Sequence, residues 1–322
     1  MSTIFELGEK QSLSLALAGL KPVEAAIIGS GDDAAVMFSD DGNYLVSTDT
    51  MIEGNDFKFE FSTAFDLGWK AIATNYADIA AMGGVPTGSV VALCVPAKTE
   101  IEWLKQFVDG LQQAADHFAP GSGIVGGDLA TGDYAFISVT VFGNLSGNSA
   151  VVRSGAKIGD GVYVGGTLGH AACGLELLNH PDQQFAKSYN QFVDIQLRPN
   201  PPIALGMQAN LAGATAMMDI SDGLSSDATR LARASDLSID IDSSKLIGYE
   251  AVLEQAAQSI SADARPWVLH GGEDHSLLAT FSEGAEVPRG FKKIGICKKA
   301  DSALTLDGKP IEPKGWDSVK VD

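Results

Sequence analysis

Short β-branched runs alternate with longer amphipathic runs along the chain, the pattern of an α/β or α+β protein. Strands are expected at residues 44–49, 89–95, 136–145, 162–165, 216–220, 276–281 and 293–297. Phe65, Trp69, Ile72, Tyr76 and Ile79 recur at helical spacing, which predicts one buried stripe on a helix that stops at Gly83, Gly84 and Pro86. Asn75 and Asp78, three apart beside that stripe, are expected to project together from its flank. A second helix carries Ile101, Leu104, Val108, Leu111, Ala115 and Phe118, and Thr99 with Glu102 has the spacing of a capping box.

Between residues 144 and 161 the apolar period gives way to Gly and Ser, which places a domain junction near residue 148. The 322 residues then divide into 1–148 and 149–322, each of ordinary domain size. Arg198, Pro199, Asn200, Pro201 and Pro202 cannot continue a helix and mark a turn in the later part. No apolar run approaches the ~18 to 20 residues of a membrane span. The acidic N-terminus, with neither a basic start nor an apolar core, argues against export, so the cytoplasm is the expected compartment. Cys94, Cys173 and Cys297 are far apart and fit neither a disulfide framework nor a zinc site. Lys and Arg total 22 against 41 Asp and Glu, a net charge of −19 that repels phosphate backbones and argues against a nucleic-acid partner.

The acids are not spread evenly. Six segments share one design, an apolar run broken by Gly, Asp, Ser or Thr: Gly31-Asp32-Asp33, Ser47-Thr48-Asp49, residues 75–78, Gly126-Gly127-Asp128, Asp219-Ile220-Ser221-Asp222-Gly223 and Gly271-Gly272-Glu273-Asp274. In four of them the acid follows a strand-like run, as in LVSTD, GIVGGD and AMMDISDG, and strand ends in α/β folds feed ligand crevices. Taken singly, each acid also reads as a turn former or helix cap; Asp222 has the position to cap a helix over 224–234.

If the carboxylates converge, their repulsion has to be answered. Two unit charges ~4 Å apart cost about 4 kcal/mol at an effective dielectric near 20. Basic groups near the motifs are few, with Arg153 the clearest, so divalent metal is the expected counter-charge. Oxygen ligands suit Mg²⁺ first, and the five histidines show no metal spacing and receive no catalytic role. Magnesium held by one or two carboxylates reaches onward to substrate phosphates, which points to a nucleotide. No GxxxxGK[ST] loop occurs to cradle it. Gly165-Gly166-Thr167-Leu168-Gly169, ahead of a helical run over 171–178, has backbone N–H groups suited to that role, and reads equally well as a tight turn.

The segments GSGDDAAVMF, STDTMIEGNDF, DLGWKAIATNYADIAAMGG, IVGGDLATGD, VVRSGAKIGDGVYVGGTLG, MMDISDGLSSD, HGGEDHSLLATF and the terminal GWD resemble, in order, the motifs of the thiamine-monophosphate kinase family, from about residue 28 to 317. The resemblance implies a two-domain fold like that of aminoimidazole ribonucleotide synthetase. Its N-terminal sheet would pair across a homodimer, and a C-terminal α/β domain would follow. The implied reaction is ATP-dependent phosphorylation of thiamine monophosphate to thiamine diphosphate. By motif, Asp33, Ser47, Thr48, Asp49, Asp78, Asp128, Asp219 and Asp222 would ligate several Mg²⁺ ions. Gly127, Asp128, Arg153 and Ser221 would contact ATP, and Glu273 and Trp316 the thiamine part. The chain has Asp56 where the family commonly has a substrate-contacting His, and His275-Ser276 follows the GGED motif in place of the more usual Tyr-Glu. The rival expectations are another ATP-using enzyme of the same fold group and a non-catalytic metal- or nucleotide-binding protein.

Overall fold

The computed structural model describes residues 3–7, 12, 15–28, 36–39, 42–299 and 302–316. It has two compact units, one comprising residues 1–79 and 85–147, the other residues 80–84 and 148–322. Residues 80–84, at the end of a first-unit helix, belong to the second unit. Val151 N–H donates to Met82 O there, and Asn210 Nδ2 donates to Gly83 O and Ser149 O.

In the first unit, β1 (Ala26–Ile28) and β2 (Val36–Met37) form a small antiparallel pair. The main sheet has four strands, β3 (Leu45–Ile52), β4 (Val85–Val95), β5 (Ile124–Thr131) and β6 (Phe136–Asn144), in the order β3-β6-β4-β5. Alternation along these strands separates its two faces. Val91, Leu93, Leu129, Ile137, Val139 and Val141 are buried on one face. On the other, Val46, Ile52 and Phe136 remain exposed.

The Ala64–Ala81 helix lies on the buried face, with Ile79 against Gly143 of β6. It crosses the Ile101–Phe118 helix at Gly68 and Gly110, where an added Cβ would come within 2.2 Å of a carbonyl of the other helix. Held between sheet and helix, it is buried almost all round and does not show the single stripe expected. The expected capping box is also absent. Glu100 is the N-cap residue of the Ile101–Phe118 helix, with no side-chain cap bond, because the helix starts one residue later than Thr99 requires.

The second unit holds a seven-stranded mixed sheet in the order β13-β12-β9-β11-β7-β10-β8. These strands are β7 (Gly161–Gly165), β8 (Ala216–Ile220), β9 (Ser238–Ile241), β10 (Ser276–Phe281), β11 (Phe291–Lys298), β12 (Leu304–Leu306) and β13 (Lys309–Pro310). All pairings are antiparallel except β12 with β9. The His170–Asn179, Leu224–Ala234, Ser243–Ser259 and Ala264–His270 helices share one core with the sheet, built around Val164, Met218, Ile220, Leu278 and Ile294. Every residue of β8 and β10 is buried, and both strands are mainly apolar, with Asp219, Ser276 and Thr280 the buried polar exceptions. Among the described residues no helix is long and apolar enough to cross a membrane.

Candidate active site

In the first unit the register of β3 decides where its donors go. Ser47 stands opposite Val141 and Asp49 opposite Val139, on the face the helices cover. Ser47 Oγ donates to Asp78 Oδ2 of the Ala64–Ala81 helix at 2.7 Å. Asp49 follows two residues along the same edge strand and stays exposed. Thr48, on the opposite face, donates to Val139 O at 2.9 Å and accepts from Thr140 Oγ1 at 3.0 Å. Asp128 shares a row with Ala92, Ser138 and Thr50, on the uncovered face. The fold therefore gathers Ser47, Asp49 and Asp78 on one side of the sheet and sets Thr48 and Asp128 on the other.

The strand-end expectation needs correction for two of these acids. Asp49 and Asp128 lie within β3 and β5, which run on to Ile52 and Thr131. Both are edge strands, where a polar side chain inside the strand keeps access to water. Gly127 sits where β5 presses on β4: an added Cβ would lie 2.3 Å from Val91 O. Asn75 does not project beside Asp78; it is buried and its Nδ2 donates back to Ala71 O at 2.9 Å. Asp56 Oδ2 accepts the Ile52 N–H at 2.7 Å, so this carboxylate closes its own turn. Asp32 and Asp33 lie outside the described residues.

In the second unit the acids do follow a strand. β8 ends at Ile220, and the turn after it packs on the GGED turn that precedes β10: Glu273 N–H donates to Ser221 O at 2.8 Å, and His275 N–H to Ile220 O at 3.1 Å. Glu273 and His275 have φ of +66° and +48°, a strained backbone for residues with a Cβ. The side chains of Glu273, Asp274 and His275 are each held. Glu273 Oε2 accepts from Gln196 Nε2 at 2.6 Å. Asp274 Oδ1 accepts the Thr167 hydroxyl at 2.7 Å and the His170 N–H at 3.2 Å. His275 Nδ1 lies 3.3 Å from Asp219 Oδ2. The Gly165–Gly169 turn thus already gives its helix-start donor to a protein carboxylate, and its reading as a phosphate cradle is corrected accordingly. Burial pushes the Asp274 carboxyl up to about 6 against those hydrogen bonds.

Asp222 does not cap the Leu224–Ala234 helix; its N-cap residue is Gly223. Asp222 Oδ2 meets Arg230 Nη1 at 2.5 Å, and the same nitrogen meets Asp227 Oδ1 at 2.7 Å. Asp227 Oδ2 accepts the Asp222 N–H at 3.0 Å. Burial, then the charge of Asp219, pushes the Asp227 carboxyl up to about 7. Asp222, Arg230, Ser226, Lys314 and Trp316 line a cavity of about 340 Å³. The Trp316 backbone N–H donates to Asp222 O at 3.2 Å, and the residue is 43% exposed.

The structure therefore brings Asp219, Ser221, Asp222, Glu273 and Trp316 to one end of β8. Arg153 is not among them. Its carbonyl accepts from Ser235 Oγ at 2.7 Å, and neighbouring Gly155 touches Thr215, at the other end of that strand. The basic group at the motif is Arg230, which the sequence reading missed along with Asp227, Gln196 and His275. Spacing carried a signal for two of them: Asp227 and Arg230 are three apart on one helix, just beyond Asp222.

Among the described residues no group of three His, Cys, Asp or Glu side chains stands ready to hold a metal. Magnesium does not require one, since it keeps waters and takes one or two carboxylates with substrate phosphates. The all-oxygen set of Ser47, Asp49 and Asp78 fits such an ion. Asp222 fits less well, because a guanidinium already lies on its carboxylate.

The family model for AIR synthase related protein, N-terminal domain, matches residues 31–145. The thiamine-monophosphate kinase of Mycobacterium tuberculosis (strain ATCC 25618 / H37Rv) is 38% identical over 317 residues, 98% of this chain and 93% of its own length. The crystal structure of thiamine monophosphate kinase from Aquifex aeolicus has a TM-score of 0.76 and 32% identity, covering 84% of this chain and 90% of that one. AaThiL complexed with AMPPCP and TMP also has a TM-score of 0.76, at 29% identity, with 98% of each chain covered. At this identity and over nearly its whole length, the chain belongs to the thiamine-monophosphate kinase family.

Proposed function

We propose that this chain carries out magnesium-assisted transfer of the γ-phosphate of ATP directly onto the phosphate of thiamine monophosphate. The activity of the family, ATP-dependent phosphorylation of thiamine monophosphate to thiamine diphosphate, is the activity of this chain. The observation that supports the residue assignment best is the Ser47–Asp78 contact beside Asp49, which sets two carboxylates and a hydroxyl on one side of the first sheet.

In this reading Ser47, Asp49 and Asp78 hold Mg²⁺ on the covered side of the first sheet, together with Asp33, while Thr48 and Asp128 on its other side and Asp219 in the second unit are separate oxygen donors. Bound there, the ions would neutralise the two polyanionic substrates, a task that Lys and Arg perform elsewhere. Gly127, Asp128 and Ser221 contact ATP, without Arg153, which lies at the other end of β8; Gly127 does so through backbone, since no side chain fits at that position. Glu273 and Trp316 meet the thiamine part, the exposed indole face suiting a cationic ring. Asp56 shapes the substrate side through the turn it closes.

Direct transfer needs no phosphoenzyme. The acceptor phosphate has a second pKa near 6 and is already anionic at neutral pH, so no strong general base is required. The enzyme works in the cytoplasm on soluble substrates. It pairs with a second copy through the uncovered face of the first sheet, which leaves Val46, Ile52 and Phe136 to be buried.

The test is incubation of the full chain with Mg-ATP and thiamine, thiamine monophosphate or other phosphomonoesters in turn. Diphosphate product from thiamine monophosphate alone supports the reading. Diphosphate from unrelated phosphomonoesters, or product from free thiamine, contradicts it.

A further inference from the structure

We infer that Arg230 takes the place of a metal ion at Asp222 in this chain. The inference rests on the reading above, in which the acids of the DISDG turn face magnesium and nucleotide. Asp219, Asp222 and Asp227 act on one another electrostatically, and Asp227 is fully buried. Three carboxylates so placed need a cation. Arg230 supplies one, with a single nitrogen 2.5 Å from Asp222 and 2.7 Å from Asp227. A guanidinium stays charged at every relevant pH and satisfies carboxylate lone pairs directionally.

Arg230 is not a remote surface pair. It lines the same 340 Å³ cavity as Asp222 and Trp316. A divalent ion on Asp222 would stand beside this guanidinium, and the repulsion between the two cations disfavours filling both places. The nucleotide-loaded enzyme would then hold one ion fewer than it would with a neutral residue at 230.

The experiment counts Mn²⁺, an ion read by its own resonance signal, bound per chain in the presence of AMPPCP, for the wild-type chain, Arg230→Gln and Arg230→Lys. Arg230→Gln is expected to bind one additional Mn²⁺ per chain, and Arg230→Lys, which keeps the charge, the wild-type number. Equal numbers in wild type and Arg230→Gln overturn the inference while leaving the metal reading intact. No Mn²⁺ bound by any of the three overturns both.

Removing the guanidinium leaves Asp227 buried without its counter-charge, so stability is followed as well. The Tm of Arg230→Gln is expected to rise with added Mn²⁺ by more than that of the wild type, because the extra ion binds the folded state. Equal rises overturn the inference by a route that does not depend on turnover.

Discussion

Gln196 Nε2 donates to Glu273 Oε2 at 2.6 Å, and so a buried amide near the end of the Asn190–Leu197 helix fixes the Glu273 side chain. Glu273 itself stands at φ +66°, a conformation that persists only when its surroundings hold it. Gln196→Ala releases the carboxylate. The KM for thiamine monophosphate is expected to rise roughly tenfold, the effect of losing about 1.4 kcal/mol, with the KM for ATP unchanged. Steady-state kinetics with each substrate varied separately checks this; a parallel rise in both constants contradicts the assignment of Glu273.

Asp274 gives the chain a pH dependence of known sign. Burial pushes its carboxyl up to about 6 in the folded chain, from the 3.8 of an exposed aspartate. The proton it binds on folding therefore favours the native state below pH 3.8, and that advantage is lost as pH rises through 6. Asp274→Asn keeps an oxygen for Thr167 and His170 and cannot ionise. Relative to the wild type, its unfolding free energy is expected to gain roughly 2.4 kcal/mol between pH 4 and pH 7. Denaturant titrations at the two pH values measure it, and a pH-independent difference contradicts the buried-carboxyl account.

The uncovered face of the first sheet makes a separate prediction about assembly. Phe136, opposite Ile52 on β6, is 37% exposed in the single chain. Phe136→Glu is expected to convert a dimer to a monomer by light scattering coupled to size exclusion. A variant that elutes with the wild-type mass places the interface elsewhere.

Much of the framework was readable in order along the chain, and less of the site. Residues 216–220 and 276–281 were legible as strands because β8 and β10 are buried on both faces and are mainly apolar. Asp49 and Asp128 were misplaced to strand ends because an edge strand admits a carboxylate in its interior, a freedom that alternation does not announce. The sequence left the Gly165–Gly169 turn equally open to phosphate and to a plain tight turn, because the carboxylate that takes the His170 N–H, Asp274, lies 104 residues further along the chain. Gln196 and Glu273, 77 residues apart, meet only through the tertiary fold. Arg230 was within reach of the sequence, since it lies one helical turn past Asp227 on the helix that follows Asp222.

The central claim is that the acidic segments are machinery for phosphoryl transfer and not surface solubility. Asp49→Asn tests it most directly, because Asp49 is exposed on an edge strand and its isosteric replacement disturbs little packing. Turnover of ATP and thiamine monophosphate and the Tm are measured on the same preparation. A loss of turnover of about a hundredfold or more, a transition-state term near 2.7 kcal/mol, with the Tm within a few degrees of wild type, is the expected result. Turnover close to wild type, or a Tm that collapses together with it, would contradict the claim.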